Sequence, residues 1–273
     1  MRNGRLLIMS LIAAAMVSPV FAQSHKFDYH PAYGPAPLGG NPQSMARQLS
    51  HDNFISIRWL NAAIMNYGGG EAEIDTLIDV YSDASALYFQ NKMMESAKKF
   101  IENQTAIMQS AKQLAGKYST ETAAILKECM ELSLRSRLKM GIRGDQGMDS
   151  VDKYLGQAKA GVFKANDYHE RFKDAKAASA RELITAIYLY RGAKANMFEM
   201  LTLLADVQSR FLAEQEVKAM LAKKEISPGN KERVRREKED QKRKELLSRY
   251  LDKYVKDMAD NKNVVYQARE KEK

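Results

Sequence analysis

Between Pro42 and Pro228 the chain contains no proline. Proline removes a backbone donor and clashes with the preceding turn, so an interval without it, rich in Ala, Leu, Met, Lys and Glu, selects helix almost throughout. The same interval holds no sustained alternation of polar and apolar residues bounded by Asn-Gly or Asp-Gly turns, the pattern a strand pair needs. The expected fold class is therefore all-α: an elongated stack of antiparallel helical hairpins with a charged C-terminal helix. Short connections between long helices make sequential helices neighbours.

Apolar spacing divides the interval. A first helix runs from about Gln43 to Tyr67 on Leu49, Ile57, Leu60 and Ile64, and Gly68-Gly69-Gly70 ends it. A second starts at Glu71, presents Ile74, Leu77, Ile78, Tyr81, Ala84 and Tyr88, and breaks near Gln90-Asn91. A third, beginning around Met93, is expected to stop at Gly116, and Ser119 or Thr120 to cap a fourth that closes in the loop Gly141 to Gly147. Asp149 or Ser150 caps the next, Asn166-Asp167 offers another start, and Gly192 marks a turn or kink before a strongly apolar helix. Ser227-Pro228-Gly229-Asn230 is a firm break. From Lys231 to Glu245 a solvated helix is expected, with Glu232–Arg236 and Glu239–Arg243 paired four apart. Leu247, Leu251, Tyr254 and Met258 then form a stripe able to dock on the body or a partner, and residues 261–273 fray.

The N-terminus specifies a destination. Arg2 and Arg5, the apolar run Leu6 to Val17 and small Ala22 have the form of a signal peptide, cleaved after Ala22. The domain plan is a signal peptide at 1–22, a Pro/Gly-rich leader at 23–42, a helical-hairpin domain at 43–226, and a basic helix and tail at 227–273. A periplasmic or secreted location follows, and no later segment is apolar for long enough to span a bilayer. The formal net charge is +9, and residues 223–273 hold 17 basic and 11 acidic side chains, so the excess is concentrated at one end. That asymmetry points to an acidic protein face or an anionic envelope surface as partner, and export argues against nucleic acid.

Chemistry-bearing patterns are sparse. The single cysteine, Cys129, lies in a helical pattern and is read as a buried, inert thiol. His25, His30, His51 and His169 form no His-Glu-x-x-His or Glu-x-x-His pattern, so no metal or other cofactor is expected. Neither Gly-x-Ser-x-Gly, a P-loop nor Gly-x-Gly-x-x-Gly occurs, and the chain is read as not an enzyme. Glu71, Asp75, Asp79 and Asp83 share one helix face, read as a solvated stripe answered by Lys98 and Lys99.

The reading is an exported interaction or scaffold protein. Its expected partner-binding residues are Tyr188, Tyr190, Met197, Phe198 and Met200 as apolar anchors, with Arg233, Arg235, Arg236, Lys242, Arg243 and Lys244 supplying attraction. A structural filament subunit, for which a self-complementary or head-to-tail patch and hence a homo-oligomer is required, is one alternative, and a helical protein or enzyme holding a small ligand is another. The stretches Ala86 to Phe100 and Ala186 to Ala193 resemble tetratricopeptide-type hairpins, which implies a scaffold that binds peptides or proteins. More distantly, an exported, basic, all-helical chain of this size resembles the proteins that coat periplasmic flagellar filaments in spirochaetes.

Overall fold

The computed structural model describes residues 41–141, 146–174 and 180–268. The expected signal peptide, the leader up to residue 40 and the last five residues lie outside the described residues. Within them the fold is all-α: α1 Pro42–Tyr67, α2 Glu71–Phe89, α3 Met93–Met140, α4 Gln146–Phe172, α5 Ala180–Ala222, α6 Lys231–Leu251 and α7 Val255–Asn261, with short 3-10 turns at Pro228–Asn230 and Asp252–Tyr254.

Several boundaries follow from local chemistry. Asn41 caps α1, its side chain accepting from the Gln43 amide at 3.0 Å, and Pro42 occupies the first helical position, where its missing donor costs nothing. Gly70, at φ +71°, makes the turn into α2, and Asn91, at φ +60°, makes the turn into α3. Both are positions the left-handed region opens to Gly and Asn more readily than to other residues.

Neighbour directions can be read from side-chain partners. Ser96 bonds the Ala84 carbonyl and Asn103 that of Leu77, so α2 and α3 are antiparallel. Tyr190 lies against Asn166 and Gly161 against Ala193, so α4 and α5 are antiparallel too. Lys238 reaches Glu216 and Arg243 reaches Asp206, which runs α6 back along α5. By contrast α3 and α5 are parallel, since Tyr118 pairs with Arg191 and Ser136 with Gln208. Two apolar clusters result. One gathers Leu60, Ile64, Leu77, Ile107, Tyr118, Leu183 and Tyr190, and the other Cys129, Val151, Met197, Leu201, Leu204, Leu246 and Tyr250.

Three expected breaks are absent, and the reason is packing. No helix ends at Gly116 and none is capped at Ser119 or Thr120, because α3 is continuous over 48 residues. Thr120 bonds back to the Gly116 carbonyl at 3.2 Å, and Leu114, Ala115 and Tyr118 are buried on either side of the glycine. One helical glycine costs only about 1 kcal/mol, which such burial exceeds. Asn166-Asp167 likewise falls inside α4, where Asn166 accepts from Tyr190 and Asp167 pairs with Arg171 one turn on. Asp149 sits in the first turn of α4 and Ser150 just beyond it rather than at its cap, and Gly192 lies within unbroken α5.

The glycines of the α4–α5 pair make a test of that continuity. A Cβ on Gly161 would stand 3.1 Å from the Ala193 Cβ, whereas one on Gly192 meets nothing within 4 Å. Gly161→Val is therefore expected to cost about 1–3 kcal/mol by overpacking. Gly192→Ala is expected to be neutral or to stabilise by up to about 1 kcal/mol, since it improves helix propensity without strain. Urea titration of both variants measures the contrast; equal losses would mean that α5 is not a straight helix here.

The end of the chain also differs from expectation. The chain does not fray from Asn261 to Tyr266: Tyr266 N–H donates to the Asn66 side chain at 2.7 Å, and Asn66 donates to the Val264 carbonyl at 3.0 Å. The Lys231 to Glu245 helix is not wholly solvated, since Val234 is buried and the helix is pinned to α5 by Lys238 and Arg243. Leu247, Leu251 and Met258 pack partly buried on the second cluster, while Leu246, Tyr250 and Tyr254 supply its buried contacts.

Candidate interaction surface and the buried clasp behind it

Between Glu182 and Glu199 the only charged residues of α5 are Arg191 and Lys194, set in a run otherwise apolar or uncharged. Three residues apart, they share a helix face, and that face points inward: the Arg191 side chain is 8% exposed and that of Lys194 fully buried. A buried cation is tolerated only when it is paired and hydrogen-bonded. Both partners come from α7, where Asp257 and Asp260 are likewise three residues apart.

Arg191 grips Asp260 with two forks, Nη2 to Oδ1 at 2.9 Å and Nε to Oδ2 at 3.0 Å, and Asp260 is itself completely buried. The Tyr118 hydroxyl of α3 donates to the same carboxylate, and Asn66 of α1 donates to it at 3.2 Å. Lys194 bonds Asp257 and, at 3.1 Å, Glu121, while its ammonium stands 4.9 Å from the Tyr118 ring centre and 5.2 Å from that of Tyr67. Tyr67 closes the set by donating to Asp257 at 2.8 Å. Four helices, α1, α3, α5 and α7, thus meet in one polar knot at the border between the two apolar clusters.

The electrostatics follow from burial. Desolvation, and then the neighbouring carboxylates, push the Tyr67 phenol above its ordinary pKa; burial and Asp260 do the same to Tyr118 against the opposing pull of Arg191. Burial works against the charge of Arg191, but Tyr118 and Asp260 more than offset it and the guanidinium is held more firmly protonated. Cys129, the buried thiol, is pushed up to about 12, first by burial and then by Glu128. Native protein should consequently resist iodoacetamide at pH 8 and react once unfolded, as read by mass. Rapid labelling of the native form would show that the thiol is accessible. Because the folded value is raised, this group favours the fold fully below the unfolded pKa near about 8.5, and its contribution is lost as pH rises toward the folded value.

The residues expected to bind a partner divide. Tyr190, Met197 and Met200 are completely buried and Phe198 is 8% exposed, so these four are core, a correction to their expected role as anchors. Their stripe is covered by α3, α4 and α6, and periodicity alone does not distinguish a face covered from within from one offered outward. Tyr188 is 46% exposed, its ring edge-on to Trp59 at 5.7 Å. On α6 most cations are answered by neighbouring acids: Arg233 by Glu237, Arg235 by Glu232 and Glu239, Arg236 by Glu232, Lys242 by Glu245, and Arg243 by Asp206. The expected Glu239–Arg243 pair is thereby replaced. Arg235 holds the Glu232 carboxyl down at about 2. Lys244 is exposed and has no ion pair among the described residues.

An outward apolar surface lies elsewhere. On α3, Met130 (42% exposed), Leu134 (59%) and Leu138 (75%) recur every fourth residue, and Phe163 (78%) stands on α4. Met130 and Leu134 flank the line along which α3 meets α4, marked by the Ser119–Asn166 bond at one end and the Arg137–Asp152 pair at the other. The signal was present in the spacing of Met130, Leu134 and Leu138, but it was masked by the adjoining inward stripe of Ile125, Cys129 and Leu132. The Ala86 to Phe100 stretch straddles the α2–α3 turn, whereas Ala186 to Ala193 lies inside α5. On α2 the carboxylates of Glu71, Asp75, Asp79 and Asp83 are all exposed, and Lys99 pairs with Glu102 of its own helix rather than with them. Among the described residues no helix is long and apolar enough to cross a membrane. Compared with family models, curated proteins and solved structures, the chain matches none of them.

Proposed function

We propose that this chain is an exported, non-catalytic interaction or scaffold protein of the cell envelope, working through an apolar helical surface with a basic surround. The observation that carries the reading is the exposed stripe Met130, Leu134 and Leu138 on α3, with Phe163 farther along the same seam on α4, all more than 40% exposed. Large apolar side chains grouped on one surface mark an interaction site more often than chance exposure does. The clasp supports the same reading, because a recognition surface on long helices keeps its shape only if the helices are locked against one another. The basic α6 adds long-range attraction, weakened by its internal pairs and by salt.

The test is capture of partners from an envelope extract by the wild-type protein and by Leu134→Asp/Leu138→Asp. Loss of the captured species in the variant, with its helical circular dichroism unchanged, is expected. Identical capture by both proteins would remove the stripe from the function.

A further inference from the structure

The chemistry around the stripe selects an occupant. On α3, Ser119, Leu126, Met130, Leu134 and Arg137 recur at three-, four- and seven-residue spacing and so share the side turned toward α4. On α4, Asp152, Gly156, Lys159, Phe163 and Asn166 do the same toward α3. A seam between two antiparallel helices, apolar along its floor, is the shape that accepts a third helix. Its surround is positive. Arg135 and Glu131 satisfy each other, as do Arg137 and Asp152, but Lys127, Lys153 and Lys159 are exposed with no ion pair among the described residues, against the similarly unpaired carboxylate of Asp149. The complementary rod is an exposed helix carrying carboxylates, no cations, and a few outward apolar side chains.

This chain has such a helix. In α2, Glu71–Phe89, there is no Lys, Arg or His; Glu71, Asp75, Asp79 and Asp83 are exposed, and Ile78 (46%) and Phe89 (83%) stand outward beside them. At 19 residues it is about 28 Å long, close to the roughly 27 Å of α3 between Ala123 and Gly141. The two faces cannot meet within one molecule. α2 packs on the first part of α3, through Ser96, Asn103 and Ser110, whereas the seam begins some ten residues later and runs to the other end of the same helix.

We propose that a second copy of this chain lays its α2 into the α3/α4 seam, a head-to-tail contact in which each copy offers an acidic helix at one end of α3 and a basic-rimmed apolar seam at the other. It rests on the reading of the stripe as a docking surface and names the partner. Because donor and acceptor are different surfaces, the contact is heterologous and extends by addition of further copies unless the rotation between them closes a ring. It combines apolar burial with charge complementarity, so it weakens with salt without vanishing.

Sedimentation velocity of the purified protein over a range of concentrations, at low salt and at about 1 M salt where the Debye length is about 3 Å, reads the assembly. Wild type should grow with concentration at low salt, with an apparent dissociation constant about tenfold weaker at high salt. Two variants separate the halves: Asp75→Lys/Asp79→Lys/Asp83→Lys lacks a donor, and Leu134→Asp/Leu138→Asp lacks an acceptor. Each should be monomeric alone, and an equimolar mixture should form a dimer that grows no further, which also shows that both variants are folded. A wild type that stays monomeric under all conditions, variants that associate alone, or a mixture that does not pair would each overturn the second copy as occupant. Loss of extract capture by Leu134→Asp/Leu138→Asp alongside a monomeric wild type would leave the docking surface standing with a different partner.

Discussion

Asp260→Asn is expected to lower the unfolding free energy by about 3–5 kcal/mol, on the order of 10 °C in Tm, the largest effect of any single isosteric change considered for this chain. The substitution keeps the shape and removes only the charge. Arg191, held by two forks and only 8% exposed, would then sit in the interior without a counter-ion, and the Tyr118 hydroxyl would lose its charged acceptor. Guanidinium titration measures the loss. The control is Arg191→Met in the Asp260→Asn background. If the cost arises from an orphaned cation, removing that cation should recover part of the loss even though another native interaction is destroyed. Additive losses would show that the pair contributes through packing instead.

Truncation before Pro228 is expected to abolish the cooperative fold rather than merely to weaken partner attraction. Removing α6 and α7 exposes the faces that Leu246, Tyr250 and Tyr254 cover, and strips Arg191 and Lys194 of Asp260 and Asp257 together. An uncompensated Arg191, a Lys194 left with Glu121 alone, and the lost apolar area together exceed the 5–15 kcal/mol that holds a typical domain folded. Loss of the sigmoidal thermal transition by circular dichroism is the measurement, and a truncated chain that melts cooperatively would refute it. The electrostatic role of α6 is tested instead by Arg233→Glu/Arg236→Glu/Lys244→Glu. These positions are exposed, and the cost to stability is expected to be about 1 kcal/mol while capture of an acidic partner weakens at low salt.

Much of the architecture was legible from residue order. The Gly68-Gly69-Gly70 turn, the break at Gln90-Asn91 and the stop at Ser227-Pro228-Gly229-Asn230 all depend on backbone preferences that operate within a few residues, and each appears where those preferences put it. Gly116 and Gly192 were misread for the complementary reason. A lone glycine weakens a helix by an amount that neighbouring helices readily offset, and which neighbours arrive is not written locally. The partner residues failed in the same way: Met197 and Met200 have the composition of an adaptable binding face, and α3, α4 and α6 happen to cover it.

The clasp marks the division most sharply. Two cations three apart in an apolar helix and two carboxylates three apart near the end of the chain can each be seen in the primary structure, but they are separated by some sixty residues and nothing local pairs them. Periodicity and turn chemistry sufficed for an all-helical chain and for most of its element boundaries, because those are decided by contacts within one or two turns. The assembled molecule alone decided which apolar stripes became interior, which charges were consumed in internal pairs, and which side of α3 remained outward. Burial is a property of what packs against a residue, and in this chain the elements that do the packing are distant along it.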